Sequence, residues 1–118
     1  MADVLDNRVL DDLLESVAGD RAFLSELIGE FLEDAPRQLE TLREAAAAGD
    51  GQSARRAAHT LKGNGRTFGA PELTLLCQEA EAAAANGDLD AVRLRLAAID
   101  EAWEQVQAAL VAARDRGL

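Results

Sequence analysis

From Leu89 to Leu110 the chain carries Leu89, Val92, Leu96, Ile99, Trp103, Val106 and Leu110 in an unbroken alternation of three and four. On a helix that spacing draws one apolar stripe, which has to be buried against other helices. It reads first as a seam for the inside of a bundle and only secondarily as a coiled-coil dimer contact. The same rhythm governs the start of the chain. Asp6 can cap a short first helix with Val9, Leu10, Leu13, Leu14 and Val17 on one side and Gly19 at its end. From Asp20 a long second helix carries Phe23, Leu24, Leu27, Ile28, Phe31, Ala35, Leu39 and Leu42. Pro36 lies within it, and a kink or local break is expected near Asp34.

Punctuation between these segments is explicit. Four alanines lead into Gly49-Asp50, and four more into Asn86-Gly87-Asp88. Each reads as a C-terminal glycine followed by an aspartate that caps the next helix. The two marks lie 38 residues apart, but nothing else repeats at that period, so they are tight connections and not a repeat array. Gly69-Ala70-Pro71 closes a third helix and opens a fourth, with Pro71 at a permitted first-turn position. Leu73, Leu76, Cys77 and Ala80 form the buried side of that fourth helix, with Cys77 a small core residue. The expected fold is all-α: an antiparallel up-down four-helix bundle with a short additional N-terminal helix.

Composition sets the class of partner. The 118 residues have 48% hydrophobic content, no tyrosine and two prolines, as an alanine-rich helical domain has. A net charge of −10 argues against nucleic acid and anionic membrane surfaces as partners. The acidic start Met1–Asn7 has no basic segment followed by an apolar run, and no stretch approaches the ~20 apolar residues of a membrane span, so a cytoplasmic protein is expected. With one cysteine no intramolecular disulfide can form, and one histidine and one cysteine do not make a metal ligand set.

Within this acidic chain, the window between Asp50 and Glu72 has no acidic residue and carries Arg55, Arg56, Lys62 and Arg66, a formal +4. It also holds the only histidine, His59, and the only lysine, Lys62, among eleven arginines. Wound as a helix, Ala54, Ala57, Ala58, Leu61 and Phe68 share a core side, and Arg55, His59, Lys62 and Arg66 form a stripe beside it. Gly63 and Gly65 each cost roughly 1 kcal/mol against alanine in a helix interior. Gly63 falls about 40° beyond His59 on the wheel, where its missing side chain leaves a partner free to approach the imidazole.

His59-Thr60-Leu61-Lys62-Gly63, then Phe68-Gly69-Ala70, Leu73, Leu76-Cys77 and Glu81, resemble the signature of histidine-containing phosphotransfer (HPt) domains, the four-helix-bundle carriers of multistep phosphorelays. The likeness runs from about residue 20 to the C-terminus. Small residues are usual in the family at the positions of Asn64, Gly65 and Arg66, from which Asn64 and Arg66 depart, and asparagine is common where Thr67 stands. The resemblance implies a single HPt-like domain over residues 1–118, with 1–19 a lid helix and 20–116 the bundle.

It further implies a function. His59 would take a phosphoryl group from an aspartyl phosphate of a response-regulator receiver domain and pass it to another receiver, downstream of a hybrid sensor kinase. Neutral imidazole is a good nucleophile near neutral pH. Lys62, one turn away on the same face, fits stabilisation of the transferring phosphoryl group. Arg55, Arg56 and Arg66 fit receiver docking. By the family's spacing from Cys77, the polar positions flanking the histidine fall on Gln78 and Glu81, with Glu81 expected to orient the ring. No nucleotide-binding motif is present, so no self-phosphorylation is expected and the chain is not an enzyme in the usual sense. It is expected to be a monomer without a cofactor, Mg2+ being supplied by the receiver. The alternative is a helical adaptor that binds a receiver or another protein through the basic strip and never carries phosphate. The histidine hairpin of a sensor kinase is a poorer match, because it places an acidic residue where Thr60 stands.

Overall fold

The computed structural model describes residues 4–117. Met1–Asp3, part of the expected lid segment and of the acidic start, and Leu118 lie outside the described residues. Five helices follow one another: α1 (Asn7–Ser16), α2 (Arg21–Ala48), α3 (Gly51–Thr67), α4 (Pro71–Ala85) and α5 (Leu89–Asp115). There is no strand among the described residues, and no helix there is long and apolar enough to cross a membrane.

Helix ends fall where the capping chemistry puts them. Asp6, Asp20, Asp50 and Asp88 each accept a backbone N–H in the first turn of the helix that follows. Gly49 and Gly87 are left-handed, at φ 73° and 74°, a region that glycine enters without a Cβ penalty. The connections are therefore short, and each long helix packs on the next: α2 on α3, α3 on α4, α4 on α5, with α5 returning to α2. Arg43 of α2 clasps Asp100 of α5 at 2.9 Å across that last seam. The long dimension of the molecule, 43 Å, matches the ~1.5 Å rise per residue over the 28 residues of α2.

Two expectations about α2 change. The helix runs unbroken through Pro36, so of the kink or local break expected near Asp34 the break does not occur. An internal proline costs roughly 3 kcal/mol, but Phe31, Ala35, Leu39 and Leu42 on both sides of it are buried in one stripe. A break would expose part of that stripe at about 1.5–3 kcal/mol per large side chain, so the continuous helix wins. Phe23, expected in the stripe, is 45% exposed. It occupies the first turn of α2, where Leu24 takes the inward position.

Leu24, Ile28, Leu42, Leu61, Leu73, Val92, Ile99 and Leu110 fill the interior, completely shielded from solvent. At one level the core is aromatic: Phe31 stacks on Phe68 with ring centroids 4.9 Å apart and meets Trp103 edge-on at 5.1 Å. Phe68 is the residue that closes α3, so this cluster fixes the end of the helix bearing His59. α1 covers the same end. Leu5 and Leu10 are buried, and the Asp6 N–H donates to Gly69 O at 2.7 Å, tying the chain before α1 to the α3–α4 turn.

Candidate functional site

α3 begins firmly, since the Asp50 carboxylate accepts both the Ser53 N–H at 3.1 Å and the Ser53 hydroxyl at 2.7 Å. Those bonds hold its carboxyl below the usual range. Ala54, Ala57, Ala58 and Leu61 then face the core, which turns His59 outward; 63% of its side chain is exposed. α4 begins at Pro71 and buries Leu73, Cys77 and Ala80. Glu81 follows Ala80 by one residue, at the border between core and solvent, facing α3.

There the site forms. Glu81 Oε2 stands 2.7 Å from His59 Nδ1, and Glu81 Oε1 stands 2.6 Å from Lys62 Nζ. Lys62 and Glu81 keep only 17% of their side chains exposed. The Lys62 ammonium, and after it the His59 ring, hold the Glu81 carboxyl below its ordinary value, against the opposing effect of burial. An ionised carboxylate can only accept. Nδ1 must therefore carry the proton of the 2.7 Å contact, leaving the neutral ring with its lone pair on Nε2, the outer nitrogen.

The other expected residues divide into two groups. Gly63 is exposed, and a Cβ built on it would meet nothing within 4 Å, so the surface beside His59 is flat. Thr67 Oγ1 donates to Gly63 O at 3.0 Å and supports the backbone there. Arg55, Arg56 and Arg66 are exposed and enter no ion pair among the described residues. Gln78 is exposed as well and is not the partner of Nδ1. With Arg66, Thr74 and Leu75 it lines a shallow groove of about 300 Å3 that reaches Val9. Cys77 has no exposed surface, and burial pushes its thiol up to about 12, far from a reactive thiolate. Among the described residues no three His, Cys, Asp or Glu side chains come together as a metal site.

Two features were not found from sequence. The Lys62–Glu81 pair joins different helices, and no spacing within one helix reports it. Gly65 is buried, and a Cβ on it would stand 2.7 Å from Thr74 Oγ1, so this glycine is where α3 and α4 approach most closely through a missing side chain. Its signal was present: a helix-weakening residue inside the last turn of α3 with no surface role.

The Hpt domain family model matches residues 26–109. The chain is similar to the crystal structure of histidine-containing phosphotransfer protein B (HptB) from Pseudomonas aeruginosa PAO1, at 30% identity and TM-score 0.88 over 98% of each chain. It shares its fold with the histidine-containing phosphotransfer protein ZmHP2 from maize, at 18% identity and TM-score 0.80 over 97% of this chain and 84% of that one. No curated protein matches it.

Proposed function

The chain belongs to the Hpt domain family, phosphotransfer carriers of two-component signalling, and on that premise we propose that His59 is its phosphoacceptor. The donor is an aspartyl phosphate on a receiver domain. The Nε2 lone pair of His59 forms the N–P bond as the O–P bond breaks, and the electron pair of that bond leaves with the donor's aspartate carboxylate. Nδ1 keeps its proton throughout, held by Glu81. Transfer to a second receiver reverses these steps.

The observation that carries this reading is the 2.7 Å contact between Glu81 and Nδ1 of a ring otherwise open to solvent. It presents a nucleophilic nitrogen in one tautomer on a surface that a partner can reach. A phosphoryl transition state is loose and needs positioning and electrostatic support more than covalent help. The receiver's acidic pocket supplies Mg2+, and Gly63 leaves room for its rim. Arg55, Arg56 and Arg66 offer it complementary charge on a molecule that is otherwise acidic. The ring of contacts from α2 to α5 supports reading them as an antiparallel up-down bundle, with α1 as its lid.

The test is incubation with a phosphorylated receiver. The parent should gain acid-labile, base-stable label, and His59→Gln should fold and gain none. A stable label on His59→Gln removes His59 from the role. An unlabelled parent that still binds the receiver is an adaptor.

A further inference from the structure

The Nδ1 edge of His59 is taken by Glu81 of α4, 2.7 Å away. Nε2 therefore faces away from α4, and a group carried on it meets the charges on the other side of α3. At roughly 100° per residue, Arg66, Arg55 and Lys62 lie about 20°, 40° and 60° round the helix from His59 in one direction, and Arg56 lies about 60° round in the other. The contacts assign each direction to a neighbouring helix. Lys62 Nζ is 2.6 Å from Glu81 Oε1, and Gly65, further round the same way, faces Thr74, so this side belongs to α4. Asn64 and Thr67, further round the opposite way, line a groove with Glu30 and Asp34, so that side belongs to α2. Of the four cations of α3, Arg56 alone lies on the Nε2 side of the ring.

Resting on the carrier reading of His59, we propose that Arg56 is a phosphoryl-binding residue: its guanidinium contacts the oxygens of the phosphoryl group on Nε2, during transfer and in the phosphohistidine. This is more than a docking charge for the receiver, because it acts on the phosphoryl group with no partner present.

Helical side chains lean towards the N-terminus of their helix, so the ring of His59 covers the turn that holds Arg56 and leans away from Gly63. The guanidinium is available there. Arg56 is exposed and enters no ion pair among the described residues. The Asp50 carboxylate feels its charge, but less than it feels the Ser53 bonds that hold it. A planar guanidinium also matches phosphoryl oxygens with paired N–H donors, and its charge does not titrate. The loose transition state spreads negative charge over those oxygens, where a fixed cation stabilises it.

The charged groups flanking the ring come from three helices. α3 supplies Arg55, Arg56, Lys62 and Arg66, and α4 supplies Glu81. On α2, Glu30 and Asp34 lie further along, towards the end of α3, with Gln38 Nε2 donating to Asp34 at 3.5 Å.

Phosphoramidate tests the proposal without a receiver. It gives its phosphoryl group to Nε2 as ammonia leaves, and it has no docking surface. At fixed ionic strength, Arg56→Met should load about threefold more slowly than the parent. In the loaded proteins, 31P NMR against pH reads the titration of the phosphoryl group itself. A cation beside that group favours the dianion, so its pKa should be about half a unit higher in Arg56→Met. Arg56→Lys, which keeps the charge, should restore most of the titration. Arg55→Met removes an equal charge from the α4 side and should change both readings less than half as much. Loading and titration equal to the parent in Arg56→Met, or an equal change in Arg55→Met, overturns the proposal and leaves Arg56 a docking charge. A parent that takes no label overturns the carrier reading instead.

Discussion

Gly65 of α3 and Thr74 of α4 are in contact through an absent side chain: a Cβ at residue 65 would lie 2.7 Å from Thr74 Oγ1. Two turns back along α3 and two turns onward along α4 lead to His59 and Glu81. The close approach therefore lies on the same α3–α4 seam as the 2.7 Å contact. The Thr74 hydroxyl donates to Ala70 O at 2.7 Å and would have to give up that bond to make room. Gly65→Ala gains roughly 1 kcal/mol of helix propensity but pays overpacking of about 1–3 kcal/mol. A net loss of about 1 kcal/mol is expected, read by urea unfolding, together with a weaker preference for one His59 tautomer by NMR.

Gly63 gives the opposite result. Nothing stands within 4 Å of its built Cβ, so Gly63→Gln should leave stability equal or up to about 1 kcal/mol higher. The added side chain fills the approach to His59, and phosphoryl acceptance should fall by more than about tenfold. A folded variant that accepts phosphate at the parent rate removes the steric role.

Glu81 links the site to stability in acid. Its carboxyl is held low in the folded chain, chiefly by Lys62, so the folded state favours the charged form. That contribution is complete above the unfolded glutamate value, near pH 4.3, and is lost as pH falls through the lower folded value. The parent should exceed Glu81→Gln by about 1 kcal/mol near neutral pH, water still reaching the pair. The difference should close in strong acid, and urea titrations of both proteins check it.

Arg66 tests the basic strip. It is exposed and unpaired among the described residues, on a chain of net charge −10. Association with an acidic receiver should weaken as salt screens the attraction, and Arg66→Ala should flatten that dependence. Equal salt slopes for the two proteins would make Arg66 an ordinary surface charge.

How far each feature could be read from sequence follows from where its causes lie. Gly49-Asp50 and Gly87-Asp88 announce helix ends because capping is local, and the seam from Leu89 to Leu110 announces burial because one helix holds the whole pattern. A break at Pro36 does not occur: its local cost is visible in the sequence, whereas the packing of Phe31, Ala35 and Leu39 that offsets it belongs to the assembled core. His59 stood out as a solitary histidine in a basic window. Glu81 was reached only through family resemblance, and its pair with Lys62 was not foreseen because the carboxylate lies on another helix. Gly65 showed its helix penalty plainly, but the atom it makes room for is on α4.

The aromatic cluster supplies the protein with its own optical probe. Trp103 is the sole tryptophan, and there is no tyrosine, so near-ultraviolet emission reports one side chain. That indole meets Phe31, and Phe31 stacks on Phe68 at the end of the helix bearing His59. The end of α3 is thus two ring contacts away from the fluorophore. Trp103 emission from unlabelled protein is therefore the readout of how α3 is seated against that cluster.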